Sequence, residues 1–290
     1  MDAWRFEAIG TVWEVGVGAE ARAPASGERD AILAVIDDFD RTWSRFRADS
    51  LVRALAQQPQ EVPLPADGRA MFDAYQELSA ATGGAVQPLV GDSLAARGYD
   101  AAYSLRDRGA LPAPEAWEAS LTWTDGALRL RTPSTIDVGA VGKGRLVDIV
   151  HDVLGDFGHA VRTVDAGGDL RTTGRPLRVG LEHPFDPTRA IGIATIADEA
   201  LCASAVNRRS WPGIHGGLHH VLDARTGEPV RTVAATWAIA SVAMLADAAA
   251  TALFFDGGEA FAGRHGVEWV RMTTDGVVEG SAGGRVEVFA

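Results

Sequence analysis

The sequence predicts an α+β protein, with hairpins grouped around separated helices. Amphipathic helical spacing recurs at 28–46 and 68–82, a hairpin signal stands at Asp125-Gly126, and strands and helices do not alternate in regular βαβ order. The first element is an opening strand over 6–17, where Trp13, Val15 and Val17 alternate. Ile32, Ile36, Phe39, Trp43 and Phe46 then place the apolar stripe of a helix at 28–46 toward the core. Residues 57–67 form a proline-punctuated loop. A second helix at 68–82 turns Met71, Tyr75 and Leu78 inward and stops at Gly83-Gly84. The stretch 121–133 reads as a hairpin with a type I′ turn at Asp125-Gly126. A helix over about 143–157 closes at Gly158, and a short strand, 160–166, runs into Gly167-Gly168. Residues 177–184 read as a strand, and 241–255 as an apolar helix. After it come a strand at 267–273, a turn at Asp275-Gly276 and a last strand ending near Ala290.

With 290 residues, 47% hydrophobic and 23% charged, the chain suffices for one large domain or two intimate lobes, and 1–290 is read as a single domain. A net charge of −12 with no basic stripe argues against nucleic acid as a partner. The same charge means that any phosphate site needs a local cation. A lone cysteine, Cys202, suits a reducing compartment. The stretch MDAWRFEAIG has no basic and apolar regions of a signal peptide, and the longest apolar helix is interrupted by Asp247. The expectation is a soluble, cytoplasmic protein with no membrane insertion.

Asp247 and Thr251 are the most informative pair. Four residues apart in SVAMLADAAATALFF, they share one helix face among alanines, forming an oxygen-lined notch. A carboxylate on so apolar a helix needs a partner or a cation, and oxygen ligands favour Mg²⁺ over zinc. The alternative is an Asp capping a neighbouring loop beside a Thr bonded back to its own helix. In DVGAVGKGRLVD, glycines 139, 142 and 144 surround Lys143 just before a helix. That suits a phosphate, although the spacing fits neither a P-loop nor a dinucleotide fingerprint. DAGGDL (165–170) ends a strand in two glycines between acids, for a ligand or merely for a turn. In HHVLDARTGEPV, His219 and His220 point to opposite strand faces, so one at most enters a given site, where a neutral imidazole could act as a base. Cys202 reads as a small buried residue.

Together and in this order, GTVWEV, TGGAVQPLVG, DVGAVGKGRLVD, DAGGDL, HHVLDARTGEPV and MLADAAATALF resemble the FAD:protein FMN transferase (ApbE) family, from Gly10 to about Phe255. The resemblance implies an ApbE-like (T-fold-like) α+β fold with the flavin site between two lobes. It also implies a Mg²⁺-dependent enzyme that cleaves FAD, attaches FMN through a phosphoester to a Thr or Ser of a client protein, and releases AMP. Carried over by position, Ala140 (through its carbonyl), Asp247 and Thr251 would hold the metal. Ile9, Ala85, Val86, Gln87, Asp137, Lys143, Asp148, Gly167, Gly168, Asp169 and Val221 would bind FAD, and His220 would be the base. The chain departs from the family pattern at several points. Val86-Gln87 replaces Phe-Asp or Leu-Asp, Ala203-Ser204-Ala205 replaces Thr-Ser-Gly, Ala56 replaces an asparagine, Ala224 a proline, and Ile9 a methionine. These changes fall on the flavin grip and on turn shape more than on the metal notch. Two other readings compete: an FAD pyrophosphatase that uses water, and a non-catalytic FAD-binding protein, which would need neither base nor metal.

Overall fold

In the computed structural model, residues 3–214, 216–281 and 283–289 are described. The chain opens with a hairpin rather than one strand: β1 (Trp4–Ala8) and β2 (Thr11–Val17) meet at Ile9 and Gly10, whose φ values are 46° and 76°. Two successive left-handed residues turn the chain tightly enough to match strand twist. Isoleucine is a poor signal for that conformation, so the sequence hides the turn. α1 (Ser26–Trp43) buries Ile32, Ile36, Phe39 and Trp43, and Glu28 accepts from Ala25 N–H at 2.8 Å at its start. The short α2 (Leu51–Gln57), capped by Ser50, was not signalled by periodicity. β3 (Glu61–Pro63) crosses the proline-rich loop, and α3 (Gly68–Thr82) ends at a left-handed Gly83 as its spacing requires. After α4 (Gly91–Ala96) and α5 (Trp117–Ser120), β4 (Leu121–Trp123) and β5 (Ala127–Leu130) make the expected hairpin, with β3 along β5. Gly126 is not left-handed, so its turn is not type I′.

α6 (Gly142–Asp156) leads to β6 (Arg162–Asp165) and β7 (Asp169–Thr173), joined through left-handed Gly167 and Gly168. Then come β8 (Leu177–Glu182), β9 (Ala190–Ile196) and β10 (Ala200–Ala205). Two small hairpins follow, β11 (Ser210–Gly213) with β12 (Gly216–His219) and β13 (Leu222–Asp223) with β14 (Glu228–Pro229). The chain continues through β15 (Val233–Ala240), α7 (Ala243–Ala252), α8 (Gly258–Arg264), β16 (Glu268–Thr273), β17 (Val278–Gly280) and β18 (Val286–Val288). The end expected near Ala290 lies outside the described residues.

Eight strands form one antiparallel sheet in the order β1-β2-β6-β7-β10-β15-β16-β17. One face carries α6 and α7, in a core that includes Leu146, Val150, Ala246 and Ala250. The other is covered by the small sheet β18-β9-β8, where Leu181, Ala194 and Ile196 meet Leu201, Trp237 and Ile239. Covered on both faces, β15 is buried at all eight positions, so no polar alternation marks it as a strand. Among the described residues, no helix is long and apolar enough to cross a membrane.

Candidate active site

Two helices build the centre of the site by capping each other. The first-turn amides of α7, Ala243 N–H and Met244 N–H, donate to the Asp148 carboxylate of α6 at 2.8 and 2.9 Å. In return, Gly144 N–H in the first turn of α6 donates to Asp247 Oδ2 of α7 at 2.9 Å. Each carboxylate satisfies amides that a helix start leaves orphaned and sits at the positive end of the partner's dipole. The two helices therefore share one register. Gly144 is required at their contact, because a Cβ there would lie 2.7 Å from both the Ala243 carbonyl carbon and Asp247 Cβ.

The capping has a chemical consequence. Gly144 N–H, the amide that would continue the helical ladder to Ala140, is diverted to Asp247, and no backbone donor reaches the Ala140 carbonyl among the described residues. Asp247 spends only Oδ2 on that amide. The Thr251 hydroxyl makes no bond back to its own helix, unlike Thr82, which donates to Leu78 O at 2.8 Å. The alternative reading of this pair is therefore half right: Asp247 does cap a neighbour, but the Thr251 hydroxyl has no hydrogen-bond partner among the described residues. Ala140, Asp247 and Thr251 all line one cavity of about 870 Å³. Its three available oxygens (one charged) suit a hard cation that keeps further positions for waters and substrate oxygens. No cluster of three or more His, Cys, Asp or Glu side chains that could hold a metal stands among the described residues.

Burial and the Asp169 charge push the Asp247 carboxyl well above its ordinary range, partly offset by Lys143 and the Gly144 amide. Lys143 Nζ lies 2.7 Å from Asp169 Oδ2. Burial opposes its charge, but Asp169 and Asp247 together hold the ammonium above its usual pKa. Lys143 is thus the resident counter-cation of a carboxylate pair, beside the glycine turn that lines the same cavity through Gly167 and Gly168. The 137–140 turn lines the same cavity. Asp137 Oδ1 accepts Gly139 N–H at 2.7 Å, its Oδ2 pairs with the buried Arg45, and its carbonyl accepts the Tyr75 hydroxyl at 2.9 Å.

The two histidines divide as the strand alternation requires. His219 is turned into the protein, its Nε2 2.7 Å from Val230 O and its Nδ1 accepting Val221 N–H at 3.3 Å. His220 lines the cavity with Nδ1 unpartnered, and burial, aided by the Arg209 charge, lowers its pKa to about 3. It is therefore neutral, with a free Nδ1 lone pair or N–H facing the cavity, but weakly basic in this environment.

Of the residues expected from sequence to bind FAD, Ile9, Ala85, Val86, Gln87, Asp137, Lys143, Gly167, Gly168 and Val221 line the cavity. Two do not. Asp148 is a correction: its carboxylate is occupied by the α7 amides and by Arg171 at 2.8 Å, so it supports the site from behind. Asp169 is fully buried beneath Lys143 and acts through that ion pair. Val221 contributes less backbone than expected, since its N–H is taken by His219 and its carbonyl accepts Val230 N–H. Nothing in the sequence signalled Arg45, Tyr99 and Tyr103 in the site, and Phe46, expected on the core stripe of a helix at 28–46, lies beyond the end of α1 and lines the cavity with them. Arg45 is 4% exposed, and its guanidinium lies over the Phe46 and Tyr99 rings.

Known proteins share the sequence pattern and fold of this chain. The family model for the ApbE family matches residues 9–271. The chain is 26% identical over 294 residues to an FAD:protein FMN transferase of Rhodobacter capsulatus, covering 94% of this chain, and 32% identical over 131 residues to one of Klebsiella pneumoniae. These matches span 55% and 40% of the two relatives' own lengths. Among solved structures, the ApbE protein of Thermotoga maritima superposes with a TM-score of 0.82 at 23% identity, over 96% of each chain. The Pseudomonas stutzeri flavinyl transferase ApbE gives 0.79, over 96% of this chain and 94% of that one. With a family model covering nearly its whole length and the same fold, the chain belongs to the ApbE family.

Proposed function

We propose that this protein is an FAD:protein FMN transferase: it cleaves FAD and joins FMN to a Thr or Ser hydroxyl of a client protein, releasing AMP. The observation that carries the reading is that Ala140, Asp247 and Thr251, whose oxygens are uncommitted among the described residues, line one cavity together with Lys143 and His220, whose Nδ1 has no hydrogen-bond partner. A flavin-storage protein needs neither the notch nor the base. In this reading the client hydroxyl attacks the FMN-side phosphorus of FAD. A new P–O bond forms to the client, the pyrophosphate P–O bond to AMP breaks, and the hydroxyl proton passes to His220 Nδ1. Bound Mg²⁺ would neutralise charge on the pyrophosphate and on departing AMP. Lys143 holds the phosphates electrostatically, and the glycine turn at 167–168 lets them approach backbone closely. Anionic phosphates raise the His220 pKa from its depressed value toward the range where a base is effective. The lone buried thiol Cys202 fits a cytoplasmic site of action.

The test is incubation with FAD, with and without Mg²⁺ and a host protein extract, following AMP and FMN by chromatography and covalent flavin by fluorescence on a denaturing gel. AMP release matched by a fluorescent protein band supports transfer. AMP with stoichiometric free FMN and no band means hydrolysis, and no AMP under any condition sinks the enzymatic reading.

A further inference from the structure

The Ala140 carbonyl can serve a cation only if its turn is held still, and one side chain from another element does this. Tyr75, on α3, is 1% exposed, and its hydroxyl bridges the turn: it donates to Asp137 O at 2.9 Å and accepts Ala140 N–H at 3.2 Å. Both partners belong to the stretch whose remaining bonds are internal (Gly139 N–H to Asp137 Oδ1, Val141 N–H to Val138 O), made by the start of α6 (Gly142 N–H to Val138 O) or peripheral to Ala140 (Arg45 on Asp137, Asp137 N–H on Pro88 O). The phenol is thus the contact from another helix on Ala140 N–H, on the peptide that immediately precedes the one carrying the Ala140 carbonyl. Without it, Ala140 N–H is left with no partner while its carbonyl has already lost the Gly144 amide to Asp247.

We infer that Tyr75 is a positioning residue for the cation site, its hydroxyl clamping the 137–140 turn so that the Ala140 carbonyl stays in register with Asp247 and Thr251. The inference rests on the metal notch of the proposed function and adds a requirement of geometry. Mg²⁺ demands near-ideal octahedral placement at about 2.0–2.1 Å, whereas Ca²⁺ tolerates longer and looser ligands. A loosened carbonyl therefore penalises Mg²⁺ more than Ca²⁺. Loss of simple core stability would not change that ratio.

The experiment compares wild type, Tyr75→Phe and Tyr75→Leu with Ser79→Ala, which removes a different buried hydrogen bond of α3, that from Trp117 Nε1 at 2.9 Å. Mg²⁺ and Ca²⁺ affinities are measured on the whole protein by titration calorimetry, and protection of the Ala140 amide by hydrogen exchange. Tyr75→Phe should weaken Mg²⁺ about ten-fold or more, Ca²⁺ distinctly less, and expose the Ala140 amide. Ser79→Ala should lower thermal stability with the Mg²⁺/Ca²⁺ ratio unchanged. Tyr75→Leu should give the same shift in ratio as Phe if the hydroxyl is what matters. Wild-type Mg²⁺ affinity and selectivity in Tyr75→Phe overturn the inference while leaving the notch intact. Absence of Mg²⁺ binding by the wild type overturns the notch itself, and this clamp with it.

Discussion

Gly144→Ala is the smallest change that reaches the centre of the site. The added methyl would stand 2.7 Å from Asp247 Cβ and from the Ala243 carbonyl carbon, where ordinary contact begins at 3.4 Å. The Ala243 carbonyl oxygen stands closer still, so relief requires α6 and α7 to part by more than about 0.7 Å, the difference between those carbon distances. That movement pulls Gly144 N–H from Asp247 Oδ2 and shifts the two amide bonds of α7 to Asp148. Overpacking of this kind costs about 1–3 kcal/mol, and weakening a hydrogen bond to a buried carboxylate about as much again. Because misplacement by about 1 Å lowers rates by about a hundred-fold, activity should fall further than stability alone implies. The assay is Mg²⁺-dependent AMP release from FAD, read beside thermal unfolding, with Gly126→Ala as control because a Cβ there meets nothing within 4 Å. Wild-type turnover and melting in Gly144→Ala would refute the claim that the helix contact sets the carboxylate.

The remaining predictions concern the histidines and the substrate. His220→Ala should suppress transfer by about two to four powers of ten while sparing FAD binding, and His219→Ala should cost stability but keep most activity; the reverse pattern, in client mass gain against time, would mean the wrong histidine is assigned. His151 is fully buried, and burial lowers its pKa from 6.5 to about 3. The folded state therefore refuses a proton that the unfolded chain accepts below pH 6.5, so stability falls as pH drops through that window, by about 2 kcal/mol at pH 5. Denaturant unfolding of His151→Gln should lack that loss between pH 8 and pH 5, and an unchanged loss would locate the proton elsewhere. Titration should show FAD bound in preference to FMN, because Lys143 and the 165–170 turn are assigned to the phosphates and the adenylate side; equal affinities would contradict that assignment.

Legibility in the sequence followed the physics of each residue. Asp247 and Thr251 stood out because a carboxylate among alanines is costly unless something compensates it, and four-residue spacing alone puts the pair on one face. His219 and His220 were separable because strand alternation is local. Tyr75 was legible as core, but the use of its hydroxyl was not, since its partners lie about sixty residues away in a turn with no side-chain signature. Asp148 was expected at the flavin only from the family resemblance, and the amides it caps could not be foreseen because they belong to a helix 95 residues on. Arg45 shows the limit of composition, since in SRFRAD only tertiary packing against Asp137 and two aromatic rings takes it off the surface. The opening hairpin was missed because Ile9 occupies a left-handed position that glycine or asparagine normally advertises.

The central claim is tested most directly by Asp247→Ala. The variant removes the charged group of the notch and, by releasing the Gly144 N–H held by Asp247 Oδ2, also lets that amide return to the Ala140 carbonyl, while the Thr251 side chain is unchanged. The measurement is AMP released from FAD against Mg²⁺ concentration, with covalent flavin on protein read from the same samples and thermal unfolding as the check of fold. The account predicts a folded protein in which Mg²⁺-dependent AMP release and protein flavinylation vanish together. Wild-type AMP release from a folded Asp247→Ala protein would contradict it, making the carboxylate a helix cap and nothing more.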